Sequence, residues 1–144
     1  MATINPYLNF PGNTEEVFNF YKSVFGGEFL VLQRFKDIPE ASQNLSAEDG
    51  EKLMHVSLPI GKNNVLMGTD SMDSMGQHLT VGNNFMLSIN TSSQAETDKI
   101  FHGLSAGGQV TMPLQKTFWS PSFGMLVDKF GTQWMVSFDQ NQQA

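Results

Sequence analysis

Two stretches of this chain repeat one pattern. Gly12-Asn13-Thr14-Glu15-Glu16 leads into a stretch through Phe20, Tyr21 and Phe25, stops at Gly26-Gly27 and continues as an extended apolar run. Asn90-Thr91-Ser92-Ser93 leads into Ile100, Phe101 and Leu104, stops at Gly107-Gly108 and again continues extended. A strand–helix–strand unit is used twice. Such duplication implies pseudo-twofold architecture, with a cleft where the two halves meet.

Local signals fill in each copy. Asn13 suits an N-cap, its side chain accepting from an otherwise unpaired N–H, and Glu15 and Glu16 suit the positive end of the helix dipole. Val17, Phe20, Tyr21 and Val24 recur at helical spacing until the Gly26-Gly27 stop. Glu28–Phe35 reads as a strand. Residues 36–52 carry seven charged side chains, so they read as a solvated excursion with a short helix near 46–52, or as a lid over the cleft. Leu53–Ile60 and Asn64–Thr69 flank Gly61-Lys62-Asn63-Asn64, a hairpin signal.

In the second copy, Asn83–Ile89 opens the module and Ser93 with Glu96 fits a capping box. Gln109–Thr117 is a strand interrupted by Pro113, which suits an edge or a bulge. Phe123–Val127 and Thr132–Phe138 form a hairpin around Asp128-Lys129-Phe130-Gly131. One domain results: module one over 1–70, a linker over 71–82, module two over 83–139, and a frayed tail over 140–144.

Composition narrows the partners. The 144 residues suffice for one compact core. A net charge of −6 and the lack of any Lys/Arg cluster argue against nucleic acid and anionic membranes. No apolar run is long enough to span a bilayer, and no basic-then-apolar leader pattern opens the chain. The chain has no cysteine, so disulfides, thiolate metal sites and thiol catalysis are excluded and a cytoplasmic setting is expected.

Several segments carry a family resemblance: Pro6-Tyr7-Leu8-Asn9-Phe10 with Gly12-Asn13-Thr14-Glu15-Glu16 and Phe20-Tyr21, then Met54-His55, then Leu66-Met67 with Asp70. Phe118-Trp119, Phe123-Gly124, Asp128-Lys129-Phe130-Gly131 and Trp134 complete the set. In this order the chain resembles the PhnB-like branch of the vicinal oxygen chelate superfamily, which includes glyoxalase I, bleomycin-resistance proteins and extradiol dioxygenases. The resemblance implies an α+β fold of two βαβββ modules, their curved mixed sheets forming a concave cleft, and a homodimer. Some members of the branch carry a label relating them to a ubiquinone methyltransferase; no glycine-rich nucleotide loop follows the first strand here.

Metal-using members of the superfamily place four ligands, usually His, Glu or Gln, on the first and fourth strands of each copy. Carried onto this chain, those positions fall at or beside Pro6, Met67, Asn84 and Met135. Neither these nor their immediate neighbours include His, Asp, Glu or Gln, so no metal and no other cofactor is expected.

Other residues are candidates for different reasons. A two-residue Lys62-Asn63 turn would bring His55 opposite Asp70, a pair that can act as a general base or close the hairpin's open end. In that register the pair shares a face that Met67 does not. Trp119, Phe123 and Trp134 with Met67, Met125 and Met135 can line an apolar pocket, or simply pack the core. Arg34 can hold a ligand carboxylate or phosphate, or pair with a surface acid.

The expected function is binding of a small organic molecule in an apolar, aromatic and Met-rich cleft. One alternative is a glyoxalase-type lyase or dioxygenase with a displaced metal at His55, Asp70 and Asp73. Another is a bleomycin-type antibiotic-sequestering protein, its acidity attracting a cationic drug.

Overall fold

Alternating burial along short strands and one apolar helix stripe per copy organise the chain into two units, Met1–Thr80 and Val81 onward. The computed structural model describes residues 1–139; the tail expected at 140–144 lies outside the described residues.

The first unit contains β1 (Tyr7–Phe10), α1 (Thr14–Phe25), β2 (Val31–Arg34), β3 (Leu53–Ile60) and β4 (Asn64–Asp70). Its sheet runs β1-β4-β3-β2, with β1 parallel to β4 and the other pairs antiparallel. Helix α1 therefore connects the two edge strands and packs on β3 and β4. Val17, Phe18 and Tyr21 on the helix and Leu8, Phe10, Val56, Leu58 and Leu66 on the strands form the core. Fully burying side chains of this size contributes about 1.5–3 kcal/mol each. The helix approaches closely because Gly68 has no side chain: a Cβ there would lie 2.5 Å from the Phe18 ring.

The second unit repeats this layout with β5 (Leu87–Thr91), α4 (Gln94–Ser105), β6 (Gln109–Gln115), β7 (Phe123–Val127) and β8 (Gln133–Phe138), in the order β5-β8-β7-β6. Ile100, Phe101 and Leu104 of α4 meet Leu126, Trp134 and Val136. Pro113 sits on the edge strand β6, where the register shifts between Val110 and Met112 and between Met112 and Gln115. Both units are thus βαβββ, an α+β fold built on two open four-stranded mixed sheets.

Three details depart from the sequence reading. The charged excursion holds a 3-10 turn (Phe35–Asp37) and two short helices, α2 (Pro39–Ser42) and α3 (Ala47–Gly50), rather than one helix. Strand β5 begins at Leu87, not Asn83; residues 83–85 are exposed and carry no alternating burial. Most consequential is the first hairpin. Ile60 pairs with Asn64 across a three-residue loop, Gly61-Lys62-Asn63, with Gly61 at φ +66°. That register brings His55 level with Thr69 instead of Asp70. A one-residue slip reverses the face of every side chain in the comparison.

Candidate functional site

Each sheet has a face turned toward its helix and a far face. On the far face of the first sheet, Tyr7 is level with Met67, which is level with Ser57. One step along, Asn9 is level with Thr69. His55 shares this face with Met67, contrary to the parity expected from the sequence. The Tyr7 hydroxyl lies 3.2 Å from His55 Nδ1, and the two rings are 5.6 Å apart at 31°. With Tyr7 donating, the imidazole proton resides on Nε2, which becomes the ring's outward donor.

Asp70 belongs to the opposite face. It is 2% exposed; Oδ1 accepts from the backbone N–H of Thr14 at 2.9 Å, and Oδ2 from that of Leu53 at 2.7 Å. The carboxylate caps α1 and fastens the start of β3. The His55–Asp70 pair expected from a tighter turn is therefore not formed. Asn13, expected to cap α1 through its side chain, makes no capping hydrogen bond, because Asp70 supplies the acceptor.

Arg34 is also committed. Its guanidinium grips Glu15 through Nη1–Oε1 at 3.1 Å and Nη2–Oε2 at 2.6 Å, and Nη1 donates to the Glu51 carbonyl at 2.8 Å. Its pKa is raised, first by the hydrogen bond to Glu15, against the lowering effect of burial. The fork ties β2 to α1 and to the end of α3, the acid pairing that the sequence reading gave beside a ligand contact.

The far face of the second sheet is methionine-rich. Met112, Met125 and Met135 lie side by side across β6, β7 and β8, each half-buried, with Ser88 of β5 next in the row. Phe123 shares this face opposite Ser137, and Trp119 meets its ring edge-on at 5.3 Å. Trp134 does not belong here: it is 1% exposed under α4, and its indole N–H donates to Asp128 Oδ2 at 2.9 Å. Parity decides this, since Trp134 is level with Leu126, one residue away from the Met125–Met135 row.

The loop bearing Trp119 is tightly tied. Thr117 N–H donates to the Ser120 carbonyl at 2.9 Å, and Ser120 Oγ donates at 2.8 Å, within reach of both the Ser122 and Phe138 carbonyls. It displays Phe118, 97% exposed, edge-on to Trp119 at 4.7 Å. The sequence reading missed Tyr7, Met112 and Phe118 as candidates. For Tyr7 a signal existed, because strand alternation from buried Leu8 and Phe10 puts it on the far face.

Comparison with known proteins agrees with this architecture. The sequence profile of the 3-demethylubiquinone-9 3-methyltransferase family matches residues 2–137. Protein YjdN of Escherichia coli (strain K12) is 30% identical over 142 residues, covering 96% of this chain and 97% of YjdN. The crystal structure of PA1353 from Pseudomonas aeruginosa superposes with a TM-score of 0.82 at 35% identity, covering 96% of this chain and 98% of that one. A PhnB protein from Bacillus cereus gives 0.76 at 27% identity, covering 96% and 100%. The chain belongs to the PhnB-like family described as 3-demethylubiquinone-9 3-methyltransferase. A glyoxalase-related enzyme from Fulvimarina pelagi, at 16% identity and a TM-score of 0.62, shares the fold.

The resemblance drawn from the sequence implies metal-ligand positions on the first and fourth strands of each copy. In this PhnB-like chain the far-face residues in register there are Tyr7 with Met67, and Ser88 with Met135. Ser88 replaces Asn84 of the sequence reading, which precedes β5. Two thioethers, a phenol and a hydroxyl are a poor donor set for a divalent ion that prefers imidazole or carboxylate. The displaced set fares no better, since His55 and Asp70 lie on opposite faces and Asp73 begins an exposed 3-10 turn. Among the described residues no three His, Asp or Glu side chains converge.

Proposed function

We propose that this PhnB-like protein binds small organic molecules on the far face of each sheet, without a divalent metal at the first- and fourth-strand positions. What carries the reading is the half-buried row Met112–Met125–Met135, with Met67 at the matching place in the first sheet. Unbranched thioethers adapt to ligand shape and favour apolar, aromatic contacts. On the first sheet, His55, held by Tyr7, supplies a directional polar contact beside Met67, an Nε2–H suited to a carbonyl or carboxylate oxygen. Phe123 and Trp119 extend the apolar surface. The working form is a homodimer, as the family resemblance implies, and its cysteine-free sequence suits the cytoplasm.

Methyl-Met NMR tests this directly. Aromatic oxo-acids should shift the methyl signals of Met67, Met125 and Met135 and leave buried Met72 unmoved. Metal analysis after dialysis should find no stoichiometric Zn, Ni, Mn or Fe; finding one defeats the reading. Light scattering reports the dimer. A thermal shift with cationic glycopeptides but not with oxo-acids would instead support drug sequestration. Methyl transfer is not proposed, because the β1–α1 turn, Pro11-Gly12-Asn13, has no glycine-rich nucleotide loop.

A further inference from the structure

A second site lies in the first unit, where β1 and β4 end, apart from the far face. A cavity of about 230 Å³ opens there, lined among others by Asp49, Lys52, Ser71, Asp73, Ser74 and Gln77. Its wall is an ordered turn: Met75 N–H donates to the Met72 carbonyl at 3.1 Å, Gly76 N–H to that of Asp73 at 2.9 Å, and Met72 N–H to Gln77 Oε1 at 2.9 Å. Gln77 therefore keeps its amide NH₂ available as a donor.

The charges around this space are arranged unusually. Lys52 is half-buried, yet among the described residues it forms no ion pair. Its ammonium rests against Gly12, where a Cβ would come within 2.7 Å of Nζ. Asp49 accepts from Ser74 Oγ at 2.8 Å and lies on the same cavity, as does Asp73, but neither carboxylate is within ion-pair distance of Lys52. One positive and two negative groups thus face a shared space without neutralising one another.

That pattern selects among ligands. A simple anion would meet two carboxylates, and a simple cation would meet Lys52. A metal ion would find two carboxylates and a repelling ammonium. A drug-sized molecule needs more room, since such pockets usually run about 300–1,000 Å³. We propose that this cavity binds a small zwitterion of the α-amino-acid class, its carboxylate on Lys52 and its ammonium toward Asp49 and Asp73. Lys52 offers three rotatable donors to the carboxylate, and charge-assisted hydrogen bonds supply the orientation. Ser71 and Gln77 are placed to contact the remaining polar edge.

The full chain, ¹⁵N-labelled, is titrated with L-alanine, propionate and ethylamine, following backbone amide shifts. L-Alanine should give saturable shifts confined to residues 49–52 and 71–79, and each single-charge probe should bind at least fivefold more weakly. Lys52→Met should weaken L-alanine binding at least tenfold. Asp73→Asn, at an exposed position whose side chain makes no hydrogen bond or ion pair among the described residues, should weaken it severalfold and keeps the test open if Lys52→Met fails to fold. His55→Ala should leave it unchanged, which separates this site from the far face. Absent saturation, equal binding of propionate, or Lys52→Met or Asp73→Asn binding as tightly as the parent overturns the proposal.

Discussion

The two modules share a topology but start their helices differently. Helix α4 is capped from within its own sequence: Ser93 Oγ accepts from Glu96 N–H at 3.1 Å, and Glu96 Oε1 accepts from Ser92 N–H at 3.1 Å. Helix α1 is capped from the far end of β4, by a carboxylate 56 residues away that also holds β3. One cap is local and replaceable; the other joins helix, hairpin and sheet in a buried cluster. Asp70→Ala should therefore be the most damaging change, lowering unfolding free energy by about 3 kcal/mol because it strands two buried N–H donors. Urea denaturation measures it. A loss below that expected for Ser93→Ala would show that the remote cap is no stronger than the local one.

Close approach of helix to sheet provides a second contrast. Gly68 and Gly124 both make room for an aromatic ring of the covering helix, Phe18 in one unit and Phe101 in the other. A Cβ at Gly68 would meet only side chains, whereas one at Gly124 would also meet the Met112 carbonyl at 3.0 Å. Side chains can give; backbone in a sheet gives less. Alanine at either site should cost about 1–3 kcal/mol, with Gly124→Ala the larger. Reversal of that order would mean that Phe18 is more rigidly held than the β6–β7 pair. Ser93→Ala follows, at about 1 kcal/mol.

The same contrast explains what could be read from the sequence. Features fixed by neighbours along the chain were legible: the duplicated module, the Ser93–Glu96 box, the turn ending in Gly131 at φ +95°, and Pro113 on an edge strand. Features fixed by partners elsewhere were not. The side chain of Asn13 loses its capping role only because Asp70 arrives from another strand. Turn length alone set the face of His55, and the motif Gly61-Lys62-Asn63-Asn64 is compatible with either a two- or a three-residue loop. Trp134 reads equally well as pocket or core until Leu126 is found level with it. Pairing register is a tertiary quantity, and the candidate site depended on it at each of these points.

The far faces differ as well. That of the first sheet couples Met67 to a polar pair, Tyr7 and His55; that of the second lines up methionines beside Phe123. Tyr7 is 46% exposed, so removing its hydroxyl leaves no buried group unsatisfied. Tyr7→Phe should change stability by less than about 0.5 kcal/mol. Its effect should instead appear in ligand preference. Without the phenol to fix the tautomer, Nε2 is no longer held as the donor, and discrimination between an oxo-acid and its deoxy analogue should fall severalfold. Met135→Leu, on the other face, should weaken both ligands alike, because it changes only apolar fit. Affinities of the two ligands for the two variants, measured by calorimetry, decide the matter. Equal losses in both variants would remove His55 from recognition and leave it to the apolar side chains of each face.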